Sequence, residues 1–179
     1  MASLRKAGAY SKKYARPFTR NSKKRSKSYI KTIPNSRIVK FKMGNLKEYK
    51  NGEFSRILTV RSKEKVQLRD NSIEATRQFL NRFIPEKVNK NFYLEVKVYP
   101  HHILRENKML TGAGADRMQT GMARSFGKSM GRAALVKENQ VLLIVGVDSE
   151  KQEIEARKLI NSVKSRLPCK ISIETEIKK

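Results

Sequence analysis

The chain carries 41 Lys and Arg against 16 Asp and Glu in 179 residues, a formal net charge of +25. That imbalance repels itself in an isolated compact protein and implies a polyanionic partner. A hydrophobic content of 38% supports one modest core, and a single cysteine, Cys169, excludes an internal disulfide and cannot alone make a zinc site. No apolar run approaches the roughly 20 residues of a membrane helix. No apolar segment follows the basic N-terminus either, so no secretory signal is expected and a cytosolic or nucleoid compartment fits.

Residues 1–47 hold fifteen Lys and Arg and no acid, with Tyr10, Tyr14, Phe18 and Tyr29 spaced among the cations. Such a segment buries too little apolar surface to fold alone and is expected to order on its partner. Its cations suit phosphates, and its aromatics suit stacking on bases or ribose. A solubilising tail explains the charge less well, because an all-positive run maximises counterion release. A membrane-surface helix is disfavoured by Pro17 and by the lack of an amphipathic face.

From about Arg37 the pattern becomes that of a folded chain. Val39, Phe41 and Met43 alternate with lysines as a half-buried strand, and Gly44–Asn45 and Asn51–Gly52 flank a turn-rich connection. Ile57, Leu58 and Val60 mark a second strand, and Val66 with Leu68 a third. Asn71 and Glu74 fit a capping box opening a helix whose apolar face is Ile73, Thr76, Leu80, Phe83 and Ile84; Pro85 marks its end or breaks its last turn. Phe92, Leu94, Val96 and Val98 alternate as another strand.

The stretch 105–134 contains five of the nine glycines and six Lys and Arg, without apolar periodicity. Connections longer than roughly 12–15 residues usually carry function or are disordered, and this one reads as a projecting arm. Gly112, Gly114, Gly121, Gly127 and Gly131 allow tight turns and close approach to another molecule. Arg117, Arg124, Lys128 and Arg132 give the arm charge suited to phosphate, and Asp116 is expected to pair with an arginine. Beyond it, the apolar run 140–147 reads as a central strand. Ser149 and Gln152 form a capping box for a helix with Ala156, Leu159, Ile160, Val163 and Leu167 at helical spacing, stopped by Pro168. Ile171, Ile173 and Ile177 make the last strand. The order β-β-β-α-β-arm-β-α-β reads as an α+β domain with helices packed on a sheet.

Catalytic motifs fail on inspection. The FGKS of 126–129 is one residue out of register with the glycine a phosphate-binding loop needs, since Met122 stands where that glycine should be. Gly112-Ala-Gly114 opens like a dinucleotide fingerprint but continues to Arg117. His101 and His102 are adjacent and would face opposite sides of a strand, one packed and one toward RNA. No carboxylate cluster accompanies them, so no metal, cofactor or enzymatic activity is expected.

Residues 99–137, YPHHILRENKMLTGAGADRMQTGMARSFGKSMGRAALVK, resemble the signature of a universal large-subunit ribosomal protein, the archaeal and eukaryotic L-ten-e family, counterpart of bacterial L-sixteen. ARPFTR at 15–20, IPNSRIVKFKMGN at 33–45 and VQLRDNSIEATRQFLNRF at 66–83 extend the resemblance over most of the chain. It implies two helices packed on a β-sheet with a hammerhead-like β extension, a basic ribosomal-RNA-binding extension over 1–36, and a single α+β domain over 37–179. The implied role is structural: docking on large-subunit ribosomal RNA near the aminoacyl-tRNA site, with the arm reaching toward the tRNA acceptor ends and the peptidyl transferase centre. Carried onto this chain, the ribosomal-RNA contacts are Arg5, Lys6, Lys12, Lys13, Arg16, Arg20, Lys23, Lys24, Arg25, Lys27, His101, His102, Arg105 and Lys108. The tRNA-proximal residues are the five arm glycines with Arg117, Arg124, Lys128 and Arg132. Implied partners are this RNA, aminoacyl- and peptidyl-site tRNA and neighbouring large-subunit proteins in the cytoplasm, without a membrane or a homo-oligomer. Ser129 stands where many relatives have proline, which implies a looser arm over 127–131, and the N-terminal extension lacks a cysteine common in relatives. A non-ribosomal nucleic-acid-binding module is the rival reading of the charge.

Overall fold

The elements run β1 (Lys42–Gly44), α1 (Leu46–Asn51), β2 (Arg56–Ser62), β3 (Val66–Arg69), α2 (Asp70–Lys87), β4 (Tyr93–Val96), β5 (His102–Glu106), α3 (Ala115–Met118), β6 (Lys128–Val136), β7 (Val141–Val147), α4 (Glu150–Ser162) and β8 (Ile171–Ile177). They belong to a computed structural model that describes residues 30, 32–88, 90–106, 112–118 and 127–177, with backbone alone at Asp116 and Met118. The strands form two antiparallel sheets, one of five strands in the order β1-β4-β7-β2-β8 and one of three in the order β3-β6-β5. The α+β class therefore holds, with two sheets where the residue pattern pointed to one.

The apolar run of β7 explains the larger sheet. β7 lies between β4 and β2, with Val145 opposite both Leu94 and Leu58, and all three side chains are fully buried. A central strand covered on both faces needs such a run, as the sequence indicated. α4 packs on β2 and β7, and α2 lies beside α4 and against β3 and β6. Leu80 and Ile84 of α2 and Ala156 and Ile160 of α4 enter one core shared with both sheets. The α4 capping box is present in full, with the Ser149 hydroxyl accepting from Gln152 N and the Gln152 side chain accepting from Ser149 N.

Several expectations need correction. The 39–43 strand shrinks to three residues, because Val39 is 72% exposed and Ile38 is the buried residue instead. The turn-rich connection holds α1, capped by the Asn45 side chain and closed by Gly52 at φ 78°. The expected Asn71–Glu74 box is absent: α2 starts at Asp70, whose carboxylate accepts from Asn71 N and Arg37 N, while Glu74 turns to Arg77. α2 also runs two residues past Pro85, since a proline in the last turn forfeits one hydrogen bond without ending the helix.

The largest correction concerns 105–134. Both its ends are strand: β5 covers Arg105 and Glu106, and β6 occupies nine residues at the centre of the smaller sheet. The residues of β6 that bury themselves include Ser129, Gly131 and Ala133, too small or polar to register as apolar alternation. Met130 has no opposite number on β5, whose pairing shifts from Leu104–Gly131 to Arg105–Ser129, so a bulge bends the hairpin there.

Candidate nucleic-acid interface

The β5–β6 hairpin is the frame on which the charged candidates sit. Lys128 is exposed opposite Glu106, Arg105 is half-buried opposite Ser129, and Arg132 is half-buried opposite Ile103. Beyond the hairpin, Gly112 and Gly114 take φ 133° and 80°, and a Cβ at either would meet nothing within 4 Å. Their demand is thus conformational and leaves room for a second molecule against the backbone. Gly112 O accepts from Ala115 N, and Gly114 O from Arg117 N, closing the single turn α3 that presents Arg117 to solvent. From Arg117 to Lys137 the sequence has five cations and no acid. Arg5, Lys6, Lys12, Lys13, Arg16, Arg20, Lys23, Lys24, Arg25, Lys27, Lys108, Gly121 and Arg124 lie outside the described residues, as does the side chain of Asp116.

Arg132 and Ser129 do something the sequence did not indicate. Arg132 Nε donates to Pro34 O at 2.6 Å and Nη1 to the Tyr99 hydroxyl at 3.3 Å, while Ser129 Oγ donates to Thr32 O at 2.5 Å. Two β6 side chains therefore clamp the segment that emerges from the basic N-terminal stretch. Ser129 is 8% exposed, and the hydroxyl supplies a donor that proline lacks. The looser arm expected at 127–131 is not what is found: Ser129, Gly131 and Arg132 are laddered into β6, and Arg132 has two of its donors committed within the protein.

His101 and His102 differ in exposure, yet both line one groove with Tyr99. His101 is exposed with its ring 4.4 Å from that of Tyr99, and His102 is half-buried in β5 opposite Ala133. Phe41 stacks on the other ring partner, 5.4 Å from Tyr99 at an interplanar angle of 24°. The sequence signal for Tyr99 is its spacing from His101 across Pro100.

Several carboxylates of the body are paired away from this hairpin, whose own Glu106 is buried in β5. Glu74 is buried against Arg77 in a two-bond pair at 2.6 and 2.8 Å, which holds its carboxyl below the usual carboxylate range despite burial. Burial pushes the Glu153 carboxyl up, but bonds from Thr175, Arg56 and Arg157 outweigh it, and the net direction is down. Glu95 takes Lys42 and Lys97 and the Tyr93 hydroxyl, and Arg61 is tied to Glu174. Burial and then Glu95 raise the Tyr93 phenol well above its ordinary value, so it stays a donor. Among the described residues no group of three or more His, Cys, Asp or Glu could hold a metal ion, and no helix is long and apolar enough to cross a membrane.

A family model described as ribosomal protein L16p/L10e matches residues 17–174. Relatives carrying the name large ribosomal subunit protein uL16 include one from Archaeoglobus fulgidus, 39% identical over 172 residues, which covers 95% of this chain and 93% of the relative. One from Thermofilum pendens is 42% identical over 149 residues, 83% of this chain and 86% of the relative. Another, from Methanococcus maripaludis, is 37% identical over 174 residues, 96% and 94% of the two chains.

Proposed function

The chain belongs to the ribosomal protein L16p/L10e family, and on that premise we propose that it is a structural constituent of the cytoplasmic large ribosomal subunit that binds large-subunit ribosomal RNA. The family is one of ribosomal structural proteins rather than enzymes, and no catalytic residue is assigned. Residues 1–36 serve as the RNA-binding extension and 37–179 as the single domain. The arm between β5 and β6 reaches toward the acceptor ends of aminoacyl- and peptidyl-site tRNA, near the peptidyl transferase centre. There Arg117, Arg124 and Lys128 contact phosphates through backbone made pliable by Gly112, Gly114, Gly121 and Gly127. Arg132 serves chiefly as a clamp, and Gly131 as a strand residue.

The observation that carries this reading is the joining of two acid-poor basic segments at one strand. Ser129 and Arg132 fasten the exit of the N-terminal stretch to the hairpin that bears the arm, which supports a single polyanion as the partner of both. Peptide bond formation is left to the RNA; the protein's contribution is positional. The test is an Arg117→Ala/Arg124→Ala double variant as the sole source of the protein. Impaired polysome formation or subunit maturation with an intact isolated fold is expected, whereas normal growth and polysomes would remove the arm from tRNA placement. Deleting residues 1–27 is expected to weaken assembly. Each lost phosphate contact should lower the salt slope of RNA binding by roughly 0.7–0.9.

A further inference from the structure

Tyr99 and His101 flank Pro100 on the stretch that leads into β5, where His101 N donates to Tyr99 O at 3.0 Å and the turn sets the two rings 4.4 Å apart. Phe41, Tyr99 and His101 form a short ring ladder whose last member, His101, is exposed. Beside the ladder lies a groove of about 510 Å³ lined by both rings, with Lys97, Leu135 and Gln140 also on its wall. That volume falls within the roughly 300–1,000 Å³ of small-ligand sites. Val98 and Ala134 are buried beneath it, whereas Tyr99 is 42% and Leu135 40% exposed. Aromatic and apolar surface is thus left open on this wall.

We propose that this groove takes an unpaired nucleobase of ribosomal RNA, stacked on the exposed His101 ring, which the Tyr99 ring supports at a 47° tilt. The inference rests on the RNA-binding reading above and names one contact within it. Three features favour a base over an apolar peptide side chain. Among the described residues no carboxylate lines the groove, in a chain of net charge +25. Lys97, whose ammonium already meets Glu95 at 2.7 Å, has further donors for the phosphate beside a bound base. The Gln140 carboxamide oxygen accepts from Lys137 N at 2.8 Å, which orients the amide and leaves its NH2 end to donate to a base edge. Aromatic platforms beside positive charge are the common means of holding single-stranded bases.

The test uses the full chain and a short oligoadenylate, followed by fluorescence anisotropy, with an abasic ribose-phosphate oligomer of equal length as the comparison. His101→Ala is expected to weaken oligoadenylate binding about five-fold or more, the lower end of what one base–aromatic stack contributes. His101→Phe should restore it, and the abasic oligomer should bind wild type and His101→Ala alike. Equal losses for both oligomers, or no loss for either, would overturn the proposal. In assembled large subunits, ultraviolet cross-linking should attach a nucleotide to the peptide holding Tyr99 and His101. A neighbouring protein found there instead would also overturn it. Co-sedimentation of wild type with large subunits checks the ribosomal reading separately. Failure there sinks that reading, while retention without a His101 effect sinks the groove alone.

Discussion

Replacing Arg132 distinguishes an internal clamp from an external phosphate contact. Its Nε–Pro34 O bond, at 2.6 Å and partly buried, joins a charged donor to a carbonyl that the clamp holds against β6. Hydrogen bonds to charged groups contribute about 1.5–3 kcal/mol. The Tyr99 contact is longer and exposed and adds little, and partial solvent access favours the low end for the first bond. Loss of about 1.5 kcal/mol makes local opening of the 32–38 segment roughly ten-fold more frequent. The reporter is the Arg37 amide, which donates to Asp70 Oδ2 at 3.2 Å within that segment. Hydrogen exchange on the full chain should show this amide exchanging roughly ten-fold faster in Arg132→Ala, with β7 amides unchanged. Arg132→Lys should behave like the alanine variant, because an ammonium keeps the charge but cannot reproduce the planar fork between Pro34 and Tyr99. Unchanged exchange in both variants would refute the clamp, and rescue by lysine would show that charge alone matters at this position.

Other perturbations reach the rest of the fold. Gly44 has φ 83°, and a Cβ there would stand 2.0 Å from Phe92 O. Gly44→Ala should therefore lower stability in urea by at least about 2 kcal/mol, and a wild-type midpoint would contradict this. Glu153→Ala takes the main carboxylate from Arg56 and Arg157, leaving them Glu150 and Thr175, and should cost about 1–2 kcal/mol, below the roughly 3–5 kcal/mol of a fully buried pair because both arginines are partly solvated and keep a partner; urea titration reads the loss. Burial, then the nearby Glu48, raises the Asp148 carboxyl above its ordinary value. That shift opposes folding above the carboxylate range and ceases to do so once pH falls below it. Asp148→Asn should thus be more stable than wild type at pH 7, the advantage vanishing on acidification, and a pH-independent difference would count against the cause. Burial also pushes the Cys169 thiol up, ahead of any local partner, so alkylation at neutral pH should be much slower in native protein than in urea.

Periodicity made most of the larger sheet and both long helices legible. The β7 run and the Ser149–Gln152 box are local signals whose meaning does not depend on distant residues. What stayed hidden depended on tertiary partners. Asp70 was chosen over Asn71 at the start of α2 because its carboxylate also takes Arg37 N, thirty-three residues away. β6 was invisible because its buried positions include Ser129, Gly131 and Ala133, which are small or polar and resemble a flexible loop in sequence. The charge of Arg132 was plain, but its use was not, since nothing local says that Pro34 O lies within reach. The groove beside Tyr99 and His101 was equally unreadable, because Lys97 and Gln140 are brought together only by the folding of β4, β5 and β7 around it.

The central claim, that this chain is an integral component of the large ribosomal subunit, is tested most directly by sedimenting native lysate through sucrose in moderately high salt and blotting each fraction. Retention with large subunits and whole ribosomes is expected, because the proposed phosphate contacts and inserted arm would resist salt together. Release of the protein to the top of the gradient would contradict it and mark a peripheral nucleic-acid binder.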